Sequence, residues 1–158
     1  MPSAASEFPK SVDVTLTRVL DAPRELVFRM WTDPMHMAQW WGPKDFTNPV
    51  CEMDVRPGGK MRIDMRAPDG IVYPMTGTFQ EIVEPERLVF VAYAEDHDGN
   101  PLLESHTTVT FEEQGGKTRL TVQARGVASA PIAPQMLAGM EQGWSQSLDR
   151  LEALVQRS

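Results

Sequence analysis

Apolar and polar residues alternate at the start of the chain: Val12, Val14 and Leu16 face one way, Asp13, Thr15 and Thr17 the other. That period of two predicts a half-buried strand ending near Leu20. The period then changes. Asp21-Ala22-Pro23 sets an oxygen acceptor ahead of a proline, a helix-start signal, and Leu26, Val27, Met30 and Trp31 follow on one helical face. Thr32-Asp33-Pro34 closes this helix and caps a shorter one carrying Met35, Met37 and Trp40, which Trp41-Gly42-Pro43 ends.

From about Asn48 to Arg125 the period of two returns. Cys51, Met53 and Val55 alternate with Glu52, Asp54 and Arg56; beyond Pro57-Gly58-Gly59, Met61, Ile63 and Met65 alternate with Arg62, Asp64 and Arg66. Turn residues at Pro68-Asp69-Gly70, Glu84-Pro85-Glu86, Glu95 to Pro101 and Gln114-Gly115-Gly116 separate four more strands, Tyr73–Val83, Leu88–Tyr93, Leu103–Glu112 and Thr118–Arg125. Consecutive strands joined by short turns form an antiparallel meander. In the last segment Ile132, Met136, Met140, Trp144, Leu148, Leu151 and Val155 recur every three or four residues. This stripe predicts a helix from about Pro134 to Gln156, about 34 Å long. The fold class that satisfies both periods is α+β: one antiparallel sheet, wet on one face, with the long helix against the other and two short helices closing an edge. Residues 1–11 read as a flexible N-terminal tail and 12–158 as a single domain.

The 158 residues, 41% hydrophobic and 23% charged, suit a domain that needs no covalent or metal staple. Fifteen Lys and Arg against 22 Asp and Glu give a net charge of −7. That balance argues against nucleic acid and anionic membranes as partners. The single cysteine, Cys51, excludes an internal disulfide and a multi-cysteine zinc site, and its apolar setting reads as a buried, inert thiol. Met1 to Ser11 does not have the form of a signal peptide, and the longest apolar run, Leu88 to Ala94, is far short of the ~20 residues a bilayer requires. A soluble cytoplasmic protein is expected.

Candidate chemistry centres on the apolar face. Six of the ten methionines, Met53, Met61, Met65, Met75, Met136 and Met140, are assigned to the sheet–helix interface. Singly they are core fillers; together with Trp40, Trp41, Phe46, Phe90 and Trp144 they suit a ligand cavity. Gly139 and Gly143 each cost a helix about 1 kcal/mol relative to alanine, and with Ser147 they form a stripe of small groups. Either they allow close approach to a strand or they leave room for a ligand, and both readings stand. The catalytic search finds no phosphate loop and no nucleophile elbow, and His36, His97 and His106 lack metal-ligand spacing, so neither metal nor cofactor is expected. Glu104 and His106 share one strand face as a candidate acid–base pair or simply a solvated face, with Ser105 and Thr107 opposite. The charges at 54, 56, 62, 64 and 66 read as cross-strand ion pairs on the wet face or, were that face buried, as polar anchors.

Thr17-Arg18-Val19-Leu20-Asp21-Ala22-Pro23, Met30-Trp31-Thr32-Asp33-Pro34, Trp40-Trp41-Gly42-Pro43, Asp54-Val55-Arg56-Pro57-Gly58-Gly59, Glu84-Pro85-Glu86-Arg87-Leu88 and the run from Gly143 to Leu151 occur in an order that resembles a known family. These are bacterial proteins similar to the C-terminal domain of the heat-shock-protein-90 ATPase activator, within the START-like, or birch-pollen-allergen-like, superfamily. The resemblance covers about Val14 to Val155. It implies a helix-grip fold, a curved antiparallel sheet of about seven strands around a long C-terminal helix. The superfamily includes carriers, cyclases and chaperone regulators, so the fold does not choose a function.

Three functions follow as expectations. The first is binding of a small hydrophobic or aromatic ligand, with Met53, Met61, Met65, Phe90, Met136, Met140 and Trp144 lining the cavity and Trp40, Trp41 and Phe46 forming a lid. The second is a chaperone-regulating protein-interaction module. The third is a cyclase- or hydrolase-like enzyme using Glu104, His106 and Tyr73 in the same cavity. A homodimer would use an exposed edge strand or the Trp40-Trp41 loop.

Overall fold

The computed structural model describes residues 10–95, 98, 101–128 and 139–157. Strand β1 (Lys10–Leu20) is followed by helices α1 (Arg24–Thr32) and α2 (Pro34–Trp40). Six strands come next: β2 (Thr47–Met53), β3 (Lys60–Arg66), β4 (Val72–Val83), β5 (Arg87–Glu95), β6 (Pro101–Gln114) and β7 (Lys117–Ala128). The terminal helix α3 spans Met140–Gln156. Its expected first turns, with Met136, lie outside the described residues.

The seven strands form one antiparallel sheet in the order β1-β7-β6-β5-β4-β3-β2, a meander whose first strand returns to pair with the last. β1 matches β7 without a break, from Lys10 opposite Ala128 to Leu20 opposite Thr118. The sheet is curved and grips α3, so the α+β helix-grip architecture is the one observed. Its inner face carries the alternating apolar set, including Ile63, Met75, Phe79, Phe90, Val109, Phe111, Leu120 and Val122, all buried.

Local chemistry explains the turns and caps. Asp33 caps α2, its Oδ1 accepting from the Met35 amide at 2.9 Å, with Pro34 in the first turn. Asp21 plays no such part for α1: Pro23 is the N-cap residue, no side chain caps it, and the Pro23 carbonyl accepts from Leu26 and Val27. In the β2–β3 turn Gly58 adopts φ +82°, and a Cβ on Gly59 would fall 1.8 Å from the Asp54 carbonyl oxygen. Only glycine fits at 59.

α1 covers one end of the inner face, where Phe28 meets Phe111 edge-on at 5.1 Å and the buried Thr118 hydroxyl donates to the Ala22 carbonyl at 2.7 Å. α2 packs on β2, and α3 on β1 and α2. The charges of β2 and β3 fall on the outer face. The ion pairs run along the chain, Arg62 with Asp64 at 3.3 Å and, beyond the end of β2, Arg56 with Asp54 at 2.7 Å, while Glu52, opposite Arg62 on β2, adds a cross-strand attraction.

Candidate functional site

The two halves of α3 do different work. Its C-terminal half is docked. Leu148, Leu151, Leu154 and Val155 are buried, and two arginines fix the helix from outside. Arg18 occupies the inward register of β1, between Leu16 and Leu20; its Nη1 binds Asp149 at 2.6 Å and its Nη2 the Ser145 hydroxyl at 3.0 Å. Arg150 reaches the other way, to the end of α2. Its Nη1 donates to the carbonyls of Trp41, Gly42 and Pro43 at 2.9, 3.0 and 3.0 Å, and Nη2 to Gln39 at 3.2 Å. A cation there answers the orphan carbonyls and negative dipole end of a helix. Burial pushes the Arg150 pKa down, an effect opposed by the charge of Asp45.

The N-terminal half of α3 stands off from the sheet. Between Gly139, Met140, Gly143, Trp144 and Ser147 of the helix and the inner face lies a recess of about 370 Å³. Its other walls are Trp41, Gly42 and Pro43 beyond α2, Met65 and Met75, Phe90, Ala92 and Ala94 of β5, and Leu103, Ser105 and Thr107 of β6. The gap has a local cause. Opposite the two helix glycines the floor is built from small residues in register: Ser105 lies between Ala92 and Gly126, and Thr107 beside Ala124. A Cβ built on Gly143 would meet nothing within 4 Å among the described residues. Close approach to a strand is therefore not the reason for glycine at 143.

All four tryptophans of the chain close a ring beside this recess. Trp31 contacts Trp40 at 4.6 Å, Trp40 contacts Trp41 at 5.7 Å, Trp41 contacts Trp144 at 5.4 Å, and Trp144 stacks on Trp31 at 6.1 Å. Trp41 and Trp144 line the recess. Trp40 does not. It is completely buried, and its Nε1 donates to the Met30 carbonyl at 2.9 Å, which makes it a core anchor and not part of a lid.

The other expected site residues divide in the same way. Met65, Phe90, Met140, Trp144 and Trp41 meet at the recess. Met61 is buried in the core and Met53 packs against it on the β2–β3 side; both border a second groove, of about 610 Å³, with Glu52, Arg62, Thr76 and Tyr93. In that groove burial raises the Tyr93 pKa, and Glu104 adds to the shift. Phe46, half-buried, tilts against Tyr73 at 6.2 Å rather than lining the recess, and Tyr73 is 43% exposed. Glu104 and His106 do pair, Oε2 to Nε2 at 3.0 Å, but on the outer face; their neighbours Ser105 and Thr107 are the ones turned inward. An acid–base role for Glu104 and His106 inside the cavity is thereby corrected. Sequence reasoning missed Ser105, Thr107, Ala92 and Ala94 as lining residues.

Cys51 is half-buried on β2 against the core. Burial, with a smaller contribution from Asp33, pushes its thiol up to about 11. No helix among the described residues is long and apolar enough to cross a membrane.

A curved seven-stranded sheet gripping a terminal helix, with two short helices after the first strand, is the START-like helix-grip architecture. Within it, the chain belongs to the family described as Activator of Hsp90 ATPase homolog 1-like proteins, whose sequence profile matches residues 21–156. No curated relative matches the sequence. Among solved structures, the chain is similar to a Chromobacterium violaceum protein at 30% identity and TM-score 0.78, covering 90% of this chain and 96% of that one. It is also similar to the AHSA1 protein of Silicibacter pomeroyi at 26% identity and TM-score 0.77, covering 92% and 98%. A protein from Arthrobacter aurescens, at 27% identity and TM-score 0.78, covers 92% and 87%.

Proposed function

We propose that this protein holds a small, mostly apolar molecule in the recess between α3 and the inner face of the sheet. The observation that carries the reading is Gly143. Among the described residues a single methyl there would meet nothing within 4 Å, although the surroundings are Trp41, Met140 and Trp144. Alanine would also favour the helix by about 1 kcal/mol. A space left unfilled at such a cost is what a guest-holding site requires, since ligand sites are concave, mainly apolar and set with few polar groups.

A thermal-shift screen with flavonoids, polyketide-like aromatics and single-chain lipids tests this, alongside native mass spectrometry of the freshly purified protein. A ligand at 100 times its Kd stabilises by about 2.7 kcal/mol, which raises Tm by roughly 5–11 °C for a chain of this size. Binding should also change the tryptophan fluorescence, because Trp41 and Trp144 line the recess. Flat melting temperatures across the screen, with no co-purifying mass, would sink the proposal.

The family description and the net charge of −7 support a second reading, a module that regulates a chaperone through an acidic surface. A pull-down against the cell's own chaperone, followed by an ATPase assay, tests it. Absence of stimulation at saturating protein would discard it.

A further inference from the structure

The recess has a defined polarity as well as a volume. Every described side chain lining it is uncharged. The nearest guanidinium, on Arg150, is already engaged by four backbone carbonyls. On the floor, the hydroxyls of Ser105 and Thr107 lie 3.4 Å apart, and Thr107 is only 1% exposed. Together they carry two O–H donors and four acceptor lone pairs. Their mutual contact uses one donor, and among the described residues the other has no acceptor. Ala92 and Gly126 flank Ser105, so nothing bulky on the neighbouring strands covers its hydroxyl, while Thr107 lies between Phe90 and Ala124. The third hydroxyl, Ser147, is spent on the Gly143 carbonyl at 2.9 Å.

We infer that the guest is a neutral, flat molecule with one hydroxyl or carbonyl oxygen, which lies against the recess-facing sides of Trp41 and Trp144 and reaches the Ser105–Thr107 pair. This inference rests on the ligand-binding reading and narrows it. A carboxylate would lose its water without gaining a counter-charge, a large cost in an apolar site. A volume of about 370 Å³ lies near the lower end of the ~300–1,000 Å³ typical of ligand pockets, which excludes a two-chain lipid. The rings of Trp41 and Trp144, inclined at 81°, provide the aromatic walls.

Three probes of one shape separate the possibilities: naphthalene, 2-naphthol and 2-naphthoate, titrated at pH 7 against the full chain by calorimetry and tryptophan fluorescence. The expected order is 2-naphthol tightest, naphthalene about 3- to 10-fold weaker, and 2-naphthoate weaker than 2-naphthol by roughly tenfold or more. Thr107→Val and Ser105→Ala should each erase the advantage of 2-naphthol over naphthalene; Thr107→Ser should keep it, and His106→Ala on the outer face should leave the order unchanged. If 2-naphthoate binds as well as 2-naphthol, or naphthalene equals 2-naphthol, the inference is overturned while ligand binding stands. Binding of none of the three to the wild-type chain overturns both. Should Thr107→Val fail to fold, the wild-type order and Ser105→Ala still decide the matter.

Discussion

Arg150 holds the carbonyl oxygen of Trp41 at 2.9 Å from its Nη1, and so ties the terminal helix to the end of α2, 109 residues away along the chain. The same nitrogen serves Gly42 and Pro43, and Asn48 Nδ2 donates to the Trp41 carbonyl from the other side at 2.8 Å. Trp41 is thus fixed by its backbone, which leaves its indole to form a wall of the recess. Docking of α3 and shaping of the recess meet at this residue.

Replacing Arg150 by alanine should destabilise the fold by about 2–3 kcal/mol, because four carbonyls lose a charged donor. Arg150→Lys should recover only a minor part, since an ammonium cannot reproduce the planar fork. Urea unfolding read by tryptophan fluorescence measures both. A lysine variant as stable as the wild type would show that charge alone matters there.

Gly143→Ala and Gly59→Ala should move in opposite directions. At 143, in a helix, an added methyl meets none of the described residues, so a gain of up to about 1 kcal/mol is expected. At 59 the methyl would sit 1.8 Å from the Asp54 oxygen, and the β2–β3 turn must break open, with a loss of several kcal/mol. Thermal melts of the two proteins, made side by side, check the pair.

The Arg18–Asp149 contact should be weaker than its 2.6 Å length suggests. The side chains are 24% and 64% exposed, so solvent screens the attraction. Asp149→Ala is expected to cost about 0.5–1 kcal/mol at low salt, and less in 1 M salt. Arg18→Ala should cost more, because the bond to Ser145 goes as well. A loss for Asp149→Ala that does not change with salt would contradict this account.

Cys51 should resist thiol reagents at neutral pH. Its pKa in the fold is about 11, above the ordinary thiol value, so the thiolate is scarce at pH 7–8. The sign for stability follows: the native state favours the protonated thiol, so this contribution is complete below the unfolded-state pKa near 9.0 and fades as pH rises towards 11. Alkylation should therefore be slow in the native protein and fast in denaturant, and Cys51→Ala should flatten the alkaline fall in stability. Rapid native labelling at pH 7.5 would refute it.

The order of elements was legible because the hydrophobic period switches cleanly, from two in Val12–Leu16 to helical in Leu26–Trp31, and back to two from Cys51 onwards. Parity also separated Glu104 and His106 from Ser105 and Thr107. It could not say which set faces α3, because alternation fixes relative and not absolute facing. Trp40 and Trp41 are adjacent, and only the local backbone decides between them: Trp40 closes α2 and turns to the core, while Trp41 is extended, with ψ 137°, and lines the recess. Met53 and Met61 share the inward parity of Met65, but they pair with each other at the far end of β2 and β3, whereas Met65 lies beside Gly42 at the recess. Two further signals are present in the sequence. Arg18 stands in an otherwise apolar register, Val12-Val14-Leu16-Leu20, which marks a polar partner on the element packed over that face; and Ala92 and Ala94, alternating on β5, mark where the floor drops.

The six blocks that carry the family resemblance fall largely on docking parts. Arg18, Asp33, Gly59, Asp149 and Arg150 set caps, turns and the seat of α3. Ser105, Thr107, Ala92 and Ala94 lie outside those blocks. A signature of this kind identifies the scaffold and leaves the floor of the recess unspecified.

The division of α3 into a seated half and a suspended half has a consequence for how such a protein can diversify. Changes at Met140, Gly143 or Trp144 alter the shape of the vacancy and leave Leu148 to Val155, with both arginine clamps, untouched. One lineage can therefore reshape that vacancy again and again by drift in two helical turns, because the residues that border it are not the ones that keep the vessel whole.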